Sequence, residues 1–155
     1  MRALQADQAE REGARGGGSL LAFFPGRREI ERARVSLERL LPSVPVYPLY
    51  GGLKPEQQRA ALNPNAPPRV ILSTNIAETS VTIEGVVEVI DTGLARQTSY
   101  DPKTGLERLA LTPIALDAAT QRAGRAGRVR AGRCWRLWSA LDEHKRSQQS
   151  APEVA

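Results

Sequence analysis

Residues 121–128 read Gln-Arg-Ala-Gly-Arg-Ala-Gly-Arg, with arginines at 122, 125 and 128 separated by small residues and a glutamine in front. On a helical turn, side chains three apart project from one side. A guanidinium is always charged and grips phosphate oxygens through a rigid fork of donors. Gly124 and Gly127 remove bulk, so a ligand or a second backbone could come close. This is chemistry suited to a polyphosphate, and the arginine-finger role in phosphoryl transfer requires it. A solvated basic face would mix Lys and Arg with acidic partners. Residues 121–136 instead hold six arginines, no lysine and no acid.

The charge balance points to the same segment. The chain has 22 Lys plus Arg against 17 Asp plus Glu, a net of +5. Without those six arginines, 16 basic and 17 acidic residues leave it at −1. A localised excess favours a localised anionic ligand over general basicity. A sequence pI near 10.0 permits nucleic-acid binding without establishing it. At 155 residues one domain is expected, large enough to fold without staples. Cys134 is alone and lies in the apolar-alternating run Cys134–Trp138, so it reads as a structural thiol. The lone His144 has no Cys or His neighbours, and no metal site is expected. No apolar run reaches the roughly 20 residues of a membrane span, and no signal-peptide core opens the chain. A reducing cytoplasm fits these features.

These residues need a scaffold, and the chain alternates strand and helix signals. Apolar runs at 20–24, 44–49, 69–73, 86–90 and 134–138 read as buried strands. Ile30, Ala33, Leu37, Leu40 and Leu41 form a helical stripe over 27–41. Pro55 suits the first turn of a helix through Leu62, and a further helix is expected over 115–123. Continuous apolar strands spaced by helices indicate an α/β fold with a mostly parallel sheet covered on both faces. Residues 95–100 and 106–111 flank Asp101-Pro102-Lys103-Thr104-Gly105, a β-hairpin signal. Three glycines at 16–18 close off a connector over 1–18 that is flexible or helical. Residues 141–155 read as a polar tail, weakly ordered beyond about Arg146.

In an open parallel sheet, ligands sit at the carboxyl ends of strands. Thr74 to Thr82, just past the third strand, is dense in hydroxyl and amide side chains. Such groups cap helices everywhere. They also position phosphate oxygens without reading bases, and the arginine cluster favours that second reading.

Four blocks in order carry a family resemblance: Phe24–Ile30 (FPGRREI), Leu49–Leu53 (LYGGL), Ser73–Ser80 (STNIAETS) and Gln121–Arg128 (QRAGRAGR). Over about residues 19–140 the chain resembles the second RecA-like domain of DEAH-box helicases of superfamily 2, and Arg136–Ser139 (RLWS) with Ala151–Val154 (APEV) most resemble the bacterial HrpB-type branch. The resemblance implies a three-layer RecA-like domain with an inserted β-hairpin at 94–111 that helps separate strands. It implies that Gln121, Arg125 and Arg128 face the γ-phosphate and attacking water across a domain cleft. It places Ser80, Thr82, Glu84 and Gly124 at the nucleotide, with Glu84 standing where the family more often has Asp. It places Thr74, Asn75, Gly51 and Gly52 on the nucleic-acid backbone. Where many relatives stack an aromatic on adenine, this chain has Ala60, Ala61 and Leu62.

The chain contains no Gly-x-x-x-x-Gly-Lys-Ser/Thr loop and no Asp-Glu-Ala-His box. Those elements hold phosphates and Mg²⁺ in a first RecA-like domain. The expected cofactors are therefore ATP and Mg²⁺, held mainly by that other domain, with this chain supplying half of the site and inactive alone. The expected partners are that domain and single-stranded RNA, with no membrane. A DNA-directed motor and a non-catalytic RecA-like binding module are the alternative readings.

Overall fold

The computed structural model describes residues 17–128 and 131–150. Most of the expected connector, Arg130 and the last five residues lie outside that range. Five strands, β1 (Ser19–Phe23), β2 (Val46–Leu49), β3 (Val70–Ser73), β4 (Val86–Asp91) and β7 (Arg133–Arg136), form one sheet in the order β2-β3-β1-β4-β7. Every pairing in it is parallel. β5 (Leu94–Asp101) and β6 (Leu106–Pro113) form a separate antiparallel hairpin. The expected α/β architecture with an inserted hairpin is what the chain adopts.

Strand periodicity of two decides which side chain enters which layer. In β1, Leu21 and Phe23 pack with Leu49, Ile71 and Val89 on one face, whereas Ala22 packs with Ile30 and Leu72 on the other. The second face is covered by helix α1 (Arg27–Leu40), whose Ile30, Ala33 and Leu37 repeat at helical spacing. The first is covered by α2 (Pro55–Leu62), which contributes Ala61, and by the single turn α3 (Ile76–Thr79), which contributes Ala77. Pro55 opens α2 as expected. Its far end is closed by Arg69, whose buried guanidinium donates to the carbonyls of Ala61 and Asn63. Burial pulls the Arg69 pKa below its ordinary value.

The hairpin turn follows its chemistry: Asp101 Oδ1 accepts from the Lys103 amide at 3.0 Å, and Gly105 has φ +67°. Its root is a third cluster, Ala95, Ile114, Ala118 and Ala119, closed by Trp138. Gly93, at φ +71°, lets that closure happen, since a Cβ there would lie 2.5 Å from both the Arg146 Nη2 and the Trp138 ring. Arg146 stacks over Trp138 at 4.2 Å and donates to the carbonyls of Gly93 and Ile114 at 2.8 and 2.9 Å.

Two expectations about the carboxyl-terminal region change. Residues 140–144 form helix α5 (Ala140–His144), with Ser139 Oγ accepting from the Asp142 amide. The segment beyond Arg146 is tied down as far as Ser150. Ser147 and Gln148 carbonyls accept from the amides of Leu116 and Asp117 at 2.9 and 3.2 Å. Asp117 accepts in turn from the Ser150 amide and hydroxyl, which hold its carboxyl below the usual range. These bonds satisfy the orphan amides that open helix α4 (Leu116–Ala123).

Candidate nucleotide and nucleic-acid site

The loops leaving β1, β2, β3 and β4 emerge at one edge because those strands are parallel. Three of them carry expected contacts. Gly51 and Gly52 follow β2 and are exposed; a Cβ at either meets nothing within 4 Å, and Gly52 has φ +86°. Only the second glycine is demanded by conformation. Thr74 and Asn75 follow β3 and lead directly into α3, whose Ala77 and Glu78 amides donate to the carbonyls of Thr74 and Asn75 at 3.3 and 2.9 Å. Asn75 is exposed and Thr74 half-buried. Ser80, Thr82 and Glu84, on the segment after α3, are all exposed.

The arginine segment is arranged differently from one helical face. α4 ends at Ala123, so only Arg122 of the three belongs to a helix. Arg122 points inward, 1% exposed, on the same stripe as Ala118 and Ala119. It donates to Asp91 Oδ1 at 2.8 Å and to Glu78 Oε2 at 2.9 Å, and its guanidinium lies 4.8 Å from the Phe23 ring. Asp91, fully buried at the end of β4, also accepts from the Gly93 amide at 2.8 Å. Such a charge triplet tolerates burial because each ion has an opposite partner.

Arg125 does not project from a core into open space. It is 8% exposed, and its side chain wraps the segment after β3, donating to the Glu78 carbonyl through Nε and Nη2 and to the Val81 carbonyl at 2.9 Å. Three of its five N–H donors are used. Two remain without a partner among the described residues. Burial, and secondarily the nearby charge of Arg128, push its pKa down. Arg128 and Gln121 are exposed. Gly124 has ordinary helical dihedrals, and a Cβ there would meet only Thr120 and Gln121 carbonyls at 3.4 and 3.5 Å. The fold itself does not need a glycine at 124. By contrast Gly127 adopts φ +91°, and Gly132 approaches so closely that its Cβ would lie 2.6 Å from the Gly127 nitrogen.

The chain therefore brings the β3 loop and the arginine segment into direct contact. The Gly51–Gly52 loop sits at the same edge by topology, with no contact to that segment among the described bonds. Sequence reasoning missed Glu78 and Asp91 and gave Arg122 no separate part. The signal for Arg122 was present: Ala115, Ala118, Ala119 and Arg122 follow the spacing of a buried stripe. Cys134, half-buried against the core, has its thiol pKa raised by burial, as a structural thiol should.

Parallel strands with an inserted antiparallel hairpin, and a β3 loop held by an arginine segment, define an α/β domain of the RecA-like class. The family model for the helicase conserved C-terminal domain matches residues 8–130, and the chain belongs to that family. It is 42% identical over 144 residues to a putative DEAH-box ATP-dependent helicase of Mycosarcoma maydis, covering 89% of this chain and 9% of that protein. It also resembles two crystal structures of HrpB from E. coli, one described as a DExH-box NTPase and one as a DEAH/RHA helicase. The first is 42% identical with a TM-score of 0.83, over 94% of this chain and 18% of that one. The second is 43% identical with a TM-score of 0.84, over 91% of this chain and 18% of that one. The chain thus spans under a fifth of the length of each of these relatives.

Proposed function

We propose that this chain is the second motor domain of an ATP-dependent RNA helicase, working against a first RecA-like domain of the same protein in the cytoplasm. The observation that carries the reading is Arg125. It is anchored by carbonyls of the β3-loop segment, keeps two donors in hand and sits close to exposed Arg128. That geometry supports a guanidinium preset for a phosphate presented from across a cleft. Ser80 and Thr82 hydroxyls and Gln121 add exposed donors, so the set fits the γ-phosphate end of ATP. Glu84 and Gly124 complete the nucleotide edge. Mg²⁺ would be held by the phosphate loop and acidic box of the partner domain. When bound, ATP supplies the phosphoanhydride whose cleavage drives the cycle.

On the nucleic-acid side, Asn75, Gly51 and Gly52 offer backbone amides and Thr74 a hydroxyl, suited to sugar–phosphate contacts with little sequence preference. RNA is the favoured strand on the family resemblance, with DNA as the variant reading. The test compares ATP turnover of the 155-residue chain with that of the full-length protein, each with and without single-stranded RNA. The chain alone is expected to sit at background and the full-length protein to turn over. Steady RNA-stimulated turnover by the chain alone would overturn the half-site reading. A full-length protein that binds RNA but hydrolyses no ATP would make this a binding module instead.

A further inference from the structure

Helix α1 holds five arginines, three glutamates and no lysine. Each glutamate is already engaged. Glu29 accepts from Arg96 of the hairpin at 2.8 Å, and Glu31 and Glu38 accept from Arg34 at 2.9 and 2.7 Å. Arg27 lies over the Tyr50 ring at 5.5 Å. Arg28, Arg32 and Arg39 remain, all exposed and without an ion pair among the described residues. With Val35, 51% exposed, they recur at intervals of four, three and four. They therefore line one face of the helix, opposite Ile30, Ala33 and Leu37, which pack on the sheet. At 1.5 Å per residue the row is about 16 Å long. Its Arg28 end lies in the first turn after β1, at the carboxyl edge of the sheet where Gly51, Gly52, Thr74 and Asn75 also emerge.

We propose that the row Arg28, Arg32 and Arg39 is a second nucleic-acid surface, a track that holds the sugar–phosphate backbone of a single strand once it has left the candidate site at the sheet edge. The proposal rests on the motor reading above and extends it to the sheet face opposite α3. Two placements argue for an anion from outside. Arg28 stands in the first turn of the helix, where the dipole disfavours a cation. Arg28 and Arg32 are four apart, where like charges repel. No glutamate of the helix offsets either cost, whereas phosphates along the row would offset both. The residue type agrees, because a guanidinium grips phosphate oxygens through its fork and a merely solvated face has no need of it. The shape selects the partner. α1 is a ridge without an aromatic ring on which a base could stack, which suits backbone contact without base reading. At roughly 3.4 Å per nucleotide of a stacked strand, the row spans about five nucleotides. Continuity with the sheet edge favours a nucleic acid over an acidic protein.

The test uses the full-length protein and two uridine oligonucleotides, one of about 8 nucleotides that covers the sheet edge alone and one of about 20 that reaches the row. Affinity is followed between about 50 and 200 mM salt. Each phosphate neutralised on a single strand contributes about 0.7 to the slope of log affinity against log salt. Arg28→Gln, Arg32→Gln and Arg39→Gln combined should therefore reduce the slope for the long strand by about 2 and its affinity at the lower salt by at least about tenfold, with the short strand within about twofold of the parent. The same three positions changed to lysine keep their charges and should keep the slope. Arg32→Gln alone should reduce it by about 0.7, and decides the matter if the triple variant does not fold. Slopes unchanged in every glutamine variant, or equal losses on both lengths, overturn the track. Loss of poly-glutamate binding with nucleic-acid binding intact overturns it in favour of an acidic protein. A parent that binds neither oligonucleotide overturns the motor reading and the track together.

Discussion

Replacing Arg125 by lysine separates two demands that the structure puts on one side chain. The guanidinium holds the Glu78 and Val81 carbonyls with three donors, and the proposed function asks the other two to meet a phosphate. An ammonium keeps the charge but has no planar fork, so it can hold one carbonyl or the phosphate and not the whole set. Hydrogen bonds from charged donors are worth roughly 1.5–3 kcal/mol each, and a lysine retaining one of the three should cost about 3–6 kcal/mol of stability. For a domain of this size that is a fall of about 6–24 °C in melting temperature. An arginine finger contributes about 10³–10⁵ in rate, so turnover should fall by at least about 10³-fold, roughly 4 kcal/mol of barrier. The two losses are measured together by thermal unfolding and steady-state ATP turnover in full-length protein. Arg125→Ala should lose as much turnover as Arg125→Lys and slightly more stability. A lysine variant with near-normal turnover would refute the finger; one with turnover lost but an unchanged melting temperature would refute the anchoring argument. The carbonyl contacts make Arg125 part of the fold as well as of the candidate site.

Arg122→Met should destabilise by about 3–5 kcal/mol, because it leaves the buried Asp91 carboxylate unpaired; chemical denaturation reads this, and adding Asp91→Leu should recover part of the loss if charge is the cause. Gly93→Ala should cost at least about 1–3 kcal/mol from the left-handed dihedral alone, before the collision with Trp138 is added, and limited proteolysis should show the hairpin root opened.

The sheet was legible because buried parallel strands are apolar without interruption, and β3 and β4 fall almost where that pattern puts them. Pro55 and the Asp101–Gly105 turn announced a helix start and a hairpin through local chemistry. Two short helices escaped. α3 has four residues, mostly polar neighbours and no stripe to detect; its place is set by contacts with other elements. α5 did carry a signal, Ser139 three residues before Asp142, a capping pattern passed over as polar tail. The last strand ends at Arg136 because Trp138 turns away to close the hairpin cluster, a choice dictated by Gly93 over 40 residues earlier. Within the site, residue types identified the arginines, whereas the partners of Arg125 are main-chain carbonyls on another element. Main-chain groups are identical at every position, so no pattern of side chains marks them.

The short strap of residues 147–150 has a consequence for how the domain is born. The amides that begin the arginine-bearing helix wait for carbonyls that lie 31 residues further along the chain, from Leu116 to Ser147. A ribosome adding roughly 5–20 residues per second needs a few seconds to cover that interval. During it, β4 still lacks β7 as its neighbour, and Arg122 and Asp91 must either pair early in a half-built sheet or stay wet. The arginine segment is thus completed well after the β3 loop has emerged. On the function proposed above, vectorial synthesis would ready the strand-facing loop before the nucleotide-facing arginines.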